Sequence, residues 1–279
     1  MEQTILQFFE NLRCPALTAF FGVFSALGEA AVFLCIILFL YWLAPKKVGE
    51  QALMAALTGA FLTAYMKSAT PRPRPYLSDG IQKLDPPLGG ALDDYDSFPS
   101  GHTLVSAALF GTLALRTRKV LLMLLFFLLP LLVAAARLYF GVHYFSDVVV
   151  GLILGWLFAI LWALVFRVCY RGRHLFLLGF AALSLYPLFF DSSAQVIQTA
   201  GLLIGAALAF AALHFTATNC ISPFPHRLWR IPVALSLLFA VYALTLFFPS
   251  TLGFALFKWG LLSFTAICGT QLLFEQLKI

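Results

Sequence analysis

The chain has 279 residues, 62% of them apolar and only 11% charged, with a mean hydropathy of +0.94. An average soluble domain is about 25% charged, and no single soluble core of this length hides so much apolar surface, so a water-soluble enzyme is excluded and a polytopic membrane protein expected. The net charge of +6 is not gathered beside exposed aromatics; nucleic-acid binding is excluded, and the charge reads as membrane topology and anion binding.

Residues 4–27 are apolar but interrupted by Glu10, Asn11, Arg13 and Pro15. They predict two short interfacial or re-entrant helices, with one poor spanning helix as the alternative. Glu2 and Glu10, with no basic start and no small-residue cleavage site, predict that no signal peptide is removed. Nine apolar segments follow, at about 29–44, 49–67, 101–115, 120–136, 145–166, 175–190, 196–216, 231–248 and 252–274. In lipid every backbone polar group must be satisfied within its own segment, so these predict helices; strand alternation is absent. The fold class is an all-α polytopic membrane protein with about nine transmembrane helices.

Alternate connections are basic: Lys46 and Lys47; Arg116, Arg118 and Lys119; Arg167, Arg171 and Arg173; Arg227 and Arg230; then Lys278 at the end. Basic short loops stay cytoplasmic, which places the other connections and the N-terminus outside. The outer connection over 69–100 carries Pro71, Pro73, Pro75, Pro86 and Pro87, with Gly80, Gly89 and Gly90, and is irregular. It also holds Asp79, Asp85, Asp93, Asp94 and Asp96. Its length suits a lid or substrate-entry element. Cys14, Cys35, Cys169, Cys220 and Cys268 are scattered without a CxxC spacing and read as small buried apolar side chains; no metal site is expected.

Three polar stretches share that outer side. In the third, Asp147 follows His143 by four residues at a helix start, which places both on one face. A carboxylate there fixes the imidazole tautomer and leaves the other ring nitrogen free to attack. Arg137, six residues upstream, presents a planar fork to phosphate oxygens. In the second, Pro99-Ser100-Gly101-His102 opens a helix whose N-terminus suits an anion. His102 can protonate a leaving oxygen. In the first, Lys67 and Arg74 bracket a proline-stiffened turn and add two cations. Charge spread over the equatorial oxygens of a phosphoryl group in transfer is then clamped by Lys67, Arg74, Arg137 and the 100–101 backbone without a metal. This arrangement predicts that His143 attacks in line to give a phosphohistidine, and that His102 protonates the leaving group and later activates water.

Lys67-x6-Arg74-Pro75, Pro99-Ser100-Gly101-His102 and Arg137-x5-His143-x3-Asp147 resemble the three signature motifs of the type 2 phosphatidic acid phosphatase (PAP2) superfamily. The resemblance covers about residues 1–168 and implies a catalytic membrane core there, with residues 169–279 as additional C-terminal transmembrane helices. It implies His143 as nucleophile with Asp147 its partner, His102 as general acid, and Lys67, Arg74, Ser100, Gly101 and Arg137 as phosphate ligands. It implies no cofactor. One position departs: the third motif usually begins Ser-Arg, and here Ala136 precedes Arg137.

The function these residues imply is hydrolysis of a lipid phosphate or diphosphate. Undecaprenyl diphosphate, phosphatidylglycerol phosphate and phosphatidic acid are candidate substrates, with membrane lipids as the surrounding partners. The expected location is a bacterial plasma (inner) membrane with the site facing outside. Phosphotransfer to an acceptor is the alternative for the same residues. A lipid transporter or flippase is the other class, and it needs ionisable groups deep in the later spans, which hold almost none beyond Lys258. Arg72, Lys83 and Lys258 read as interfacial cations, Glu29 as a helix-dipole residue, and His174, His214 and His226 as residues without a role in the chemistry.

Overall fold

A computed structural model describes residues 1–78, 80–87, 95–190, 193–215, 226–249 and 251–279. Asp79, Gly89, Gly90, Asp93, Asp94 and Cys220, singled out in the sequence, lie outside the described residues. Among those described, the regular elements are helices: α1 (Glu2–Asn11), α2 (Pro15–Leu27), α3 (Ala30–Leu43), α4 (Lys46–Ala69), α5 (Pro75–Ser78), α6 (Gly101–Arg116), α7 (Val120–Tyr139), α8 (Phe145–Val168), α9 (Arg173–Leu183), α10 (Ala194–Phe215), α11 (Arg230–Thr245), α12 (Leu252–Phe264) and α13 (Thr270–Leu277).

Every one of the nine expected segments is occupied by a helix. Among the described residues, 5 helices are long and apolar enough to cross a membrane, or up to 6 if α2 and α3, bent by 54° at residues 28–29, form one span. The difference has local causes. Helix α4 has 24 residues but carries Lys46, Lys47, Glu50, Gln51 and Lys67. Helix α6 has 16 residues, about 24 Å at 1.5 Å per residue. Helix α9 ends at Leu183 after 11 residues, well short of the expected 190. The two short helices expected before residue 28 are α1 and α2, with Pro15 at the first turn of α2, where no donor is lost.

The chain divides into two compact units. The first comprises Met1–Ile37 and Gln51–Ala163. Helix α7 packs on α6, α2 and α1. Its first half presents Leu121, Leu124, Leu125, Phe127 and Leu128 outward, as a lipid-facing surface does, while Val133, Ala134, Arg137 and Leu138 are buried. Helix α8 crosses α6 at Gly151 and Gly155. A Cβ at Gly155 would collide with the Leu104 carbonyl, and one at Gly151 would stand 2.9 Å from the Ser100 carbonyl. Two residues without side chains thereby bring the start of α8 against the start of α6.

The second unit comprises Leu38–Glu50 and Leu164–Ile279. Helix α10 runs along α12, with Gly201, Gly205 and Gly260 at the crossing. A π-helical turn over Thr265–Gly269 separates α12 from α13. Such a turn displaces carbonyls from the regular ladder, and here Tyr41 Oη donates to the Ile267 carbonyl and Trp42 Nε1 to the Ala266 carbonyl, both at 3.2 Å. The buried Glu50 is held by Arg173 through both carboxylate oxygens, at 2.9 and 3.0 Å.

Candidate active site

The site lies in the first unit, where the end of α7, the start of α8, the start of α6 and the 67–74 stretch meet. Helix α7 stops at Tyr139, and Gly141 takes φ +70, a left-handed conformation that turns the chain back within four residues. A Cβ there would stand 2.9 Å from Ile81 and 3.0 Å from Arg13. The turn delivers His143, 1% exposed, just before α8 begins.

His143 Nδ1 donates to the Ser97 carbonyl at 2.7 Å. Its Nε2 faces Arg74 Nη1 at 3.4 Å. Since a guanidinium only donates and a carbonyl only accepts, this fixes the neutral tautomer with its hydrogen on Nδ1 and the unprotonated Nε2 turned to Arg74. Asp147 Oδ2 lies 3.6 Å from Nδ1, an ion-pair distance rather than a hydrogen bond. The carboxylate is instead held by the Tyr144 N–H at 2.8 Å and by Arg72 Nη1 at 2.8 Å. Asp147 therefore stands beside His143 as expected, but the tautomer is set by a backbone carbonyl. Burial first, then the charges of Arg74, Arg137 and Lys67 and the nearby His102, push the His143 imidazole well below its ordinary pKa.

The three expected cations converge. Arg74 is 2% exposed and donates to the Val142 carbonyl at 2.9 Å. Lys67, at the last turn of α4, donates to the Asp96 carbonyl at 2.9 Å. Arg137 is wholly buried. Its Nη1 donates to Ser25 Oγ at 2.7 Å, while Nε and Nη2 have no partner among the described residues. A buried, unpaired guanidinium edge is costly and marks a place for an anion. Although Ala136 removes the hydroxyl next to Arg137 in sequence, α2 brings the Ser25 hydroxyl to it.

Ser100 spends its backbone donor within the protein. Its N–H is taken by the Asp147 carbonyl at 3.1 Å, and its hydroxyl lies 2.9 Å from Thr103 Oγ1. It ties α6 to α8 and has no N–H left for phosphate. The N–H groups of Gly101, His102 and Thr103 lack intrahelical acceptors, as at any helix start. His102 Nε2 lies 3.4 Å from Glu29 Oε1.

The sequence reading missed four contributors. Arg72, taken as an interfacial cation, binds Asp147 and Ser146 at 2.8 Å and Glu2 at 2.6 Å, with its guanidinium 3.9 Å from the Tyr144 ring. Glu2 also accepts the Ser146 N–H at 3.1 Å, which pins α1 to the start of α8. Ser25 and Glu29 reach Arg137 and His102 from the end of α2. Only Arg72 had a signal, its place between two motif cations. The described parts of the 69–100 connection are anchored rather than loose: Ile81 is buried beside Leu6 and Leu138, the Leu84 N–H donates to the Phe140 carbonyl at 3.3 Å, and the Gln82 N–H to Glu10 at 3.0 Å. Among the described residues no group of three or more His, Cys, Asp or Glu is placed to hold a metal ion.

Residues 50–171, which contain all three motifs, match the profile of the PAP2 superfamily. Over these residues the chain carries a PAP2 superfamily domain. Its PAP2 domain is similar to two lipid A 1-phosphatases. That of Rhizobium etli is 28% identical over 165 residues, 52% of this chain and 69% of the relative. That of Rhizobium johnstonii is 30% identical over 124 residues, 44% of this chain and 49% of the relative, so the chain spans about half the length of the latter. The crystal structure of Aquifex aeolicus LpxE superimposes with a TM-score of 0.51 at 27% identity, covering 57% of this chain and 93% of that one. These matches cover between 44% and 57% of the chain.

Proposed function

We propose that residues 1–168 form a metal-independent phosphatase that hydrolyses a lipid phosphate or diphosphate through a phosphohistidine on His143, at the outer membrane face. That the chain is a phosphatase of the PAP2 type rests on its domain and on relatives named as phosphatases. The observation that carries the finer reading is the pairing of an unprotonated His143 Nε2 with the unpartnered, buried Nε and Nη2 of Arg137 and with Arg74. A nucleophile beside a dry set of cationic donors suits a phosphoryl group whose charge grows in transfer.

In this reading Lys67, Arg74, Arg137 and the Gly101 end of α6 hold the phosphoryl oxygens. His143 attacks phosphorus, His102 protonates the departing oxygen, and His102 then takes a proton from the water that releases phosphate. Asp147 supports the imidazolium that forms on His143, and Ser100 holds α6 against α8. The relatives' names add lipid A to undecaprenyl diphosphate, phosphatidylglycerol phosphate and phosphatidic acid as candidate substrates. Residues 169–279 add the C-terminal helices. The basic connections after α3, α6, α8 and α10 support a cytoplasmic face opposite the site, and hence a bacterial plasma membrane with the site outside.

The test is phosphate release by the purified protein in detergent with EDTA present, over those lipids, beside His143→Ala. Release that survives the chelator, is lost in the variant, and passes through an acid-labile phosphoenzyme is expected. Activity abolished by the chelator, or retained by His143→Ala, overturns the reading; a labelled acceptor in place of free phosphate makes the enzyme a transferase.

A further inference from the structure

The break between α2 and α3 has the form of a cradle for His102. Gly28 lies so close to the ring that a Cβ there would stand 2.7 Å from His102 Cδ2 and 2.9 Å from its Cβ. The φ of Gly28 is −92, which any residue adopts, so glycine is needed for space and not for conformation. The next residue, Glu29, sets Oε1 3.4 Å from His102 Nε2, with the two side chains 23% and 19% exposed. Three residues earlier than Gly28, Ser25 is fully buried and holds Arg137. One corner of the chain therefore touches both the ring and the arginine beside it.

We propose that Glu29 is a positioning residue for His102, with Gly28 supplying the space that brings ring and carboxylate together. This rests on the reading of His102 as the general acid. A carboxylate only accepts, so the ring nitrogen facing it carries a hydrogen, and Nδ1 is left as the nitrogen that exchanges protons with substrate. The Glu29 carboxylate stands against the ring with the sign of charge that favours the protonated form an acid requires. The step then balances. The Nε2 lone pair of His143 forms the N–P bond, the P–O bond breaks with its electron pair on the departing oxygen, and that oxygen takes the proton from His102 Nδ1. His102 is left neutral, with its remaining proton on Nε2 and donated to Glu29.

The experiment compares kcat/KM for a long-chain alkyl monophosphate and for p-nitrophenyl phosphate, in wild type, Glu29→Gln, Gly28→Ala and His102→Ala. Nitrophenolate leaves without a proton, so loss of the acid affects mainly the alkyl substrate. Glu29→Gln and Gly28→Ala are each expected to lose about tenfold or more on the alkyl phosphate and less than about threefold on the nitrophenyl ester. The basic limb of the Glu29→Gln pH profile is expected to move to lower pH. Equal losses on both substrates with an unmoved profile overturn the proposal, since a merely structural role gives that pattern. The His102→Ala arm separates the two readings: no contrast there removes His102 as the acid, whereas contrast there but not in Glu29→Gln removes Glu29 alone.

Discussion

Ser97 and His143 are joined across 46 positions of sequence by a 2.7 Å hydrogen bond from the imidazole Nδ1 to the serine's backbone carbonyl. The carbonyl cannot rotate into a donor, so the ring keeps its lone pair on Nε2 whatever the state of Asp147, which lies 3.6 Å from the same Nδ1. In a dyad where the carboxylate alone sets the tautomer, its conversion to the amide costs about 10⁴ in rate. Here Asp147→Asn is expected to cost only about 10- to 100-fold in kcat/KM on a lipid phosphate, because only support of the imidazolium is lost. His143→Ala is expected to leave no turnover. Equal losses in the two variants would assign the tautomer to Asp147 after all.

The unpaired edge of Arg137 makes anion binding a stability effect. Inorganic phosphate or vanadate at about 100 times its Kd is expected to stabilise the protein by about 2.7 kcal/mol. The gain is read as a rise in Tm in detergent, absent in Arg137→Leu. An equal rise in the variant would place the anion elsewhere.

Arg72 joins Glu2 to Asp147, and its loss leaves a fully buried carboxylate without its cation. Because the arginine is itself 32% exposed, the cost of Arg72→Met is expected at about 1–3 kcal/mol, below that of a wholly buried pair. Activity is expected to fall as well, since the same carboxylate stands behind His143. Glu2→Gln, which leaves the Arg72–Asp147 contact in place, is expected to cost less than half as much. Thermal unfolding of the two variants decides it; the reverse order would make the α1 contact the dominant one.

The depressed pKa of His143 has a defined sign. The attacking form is the neutral ring, and burial with neighbouring cations keeps the ring neutral to lower pH than a free imidazole at about 6.5. The acid limb of kcat/KM, which reports the free enzyme, is therefore expected below pH 6.5 once substrate ionisation is allowed for. A limb at or above that value would mean that the cations do not act on His143 in solution.

Much of this was legible in sequence because it was carried by side-chain type and spacing. The three motifs name His102, His143, Asp147 and the cations, and each of the nine apolar segments marked by hydropathy holds a helix, though not each a spanning one. What escaped depends on geometry that spacing does not encode. The Ser97 carbonyl leaves no side-chain signature, since every residue has one. Glu29 lies 73 positions from His102, and only the bend at residues 28–29 brings them together. Ser100 is in the right place, but its N–H is spent on the α6–α8 contact. Spanning length misleads for α9, where an apolar run continues past the point at which the helix stops.

The bend between α2 and α3 also sets a hydration boundary. Backbone that leaves the helical ladder at membrane depth is tolerated only where protein covers it or water reaches it. On one side Gly28 is covered by the His102 ring; beside it the Glu29 side chain is 23% exposed and needs water. Under the proposed function, the phosphate of a bound lipid is expected to sit no deeper than this corner, with its hydrocarbon on the bilayer side. Selection by depth would then measure the distance from head to tail junction rather than tail length, so lipids with very different chains but a phosphate at one level would be handled alike.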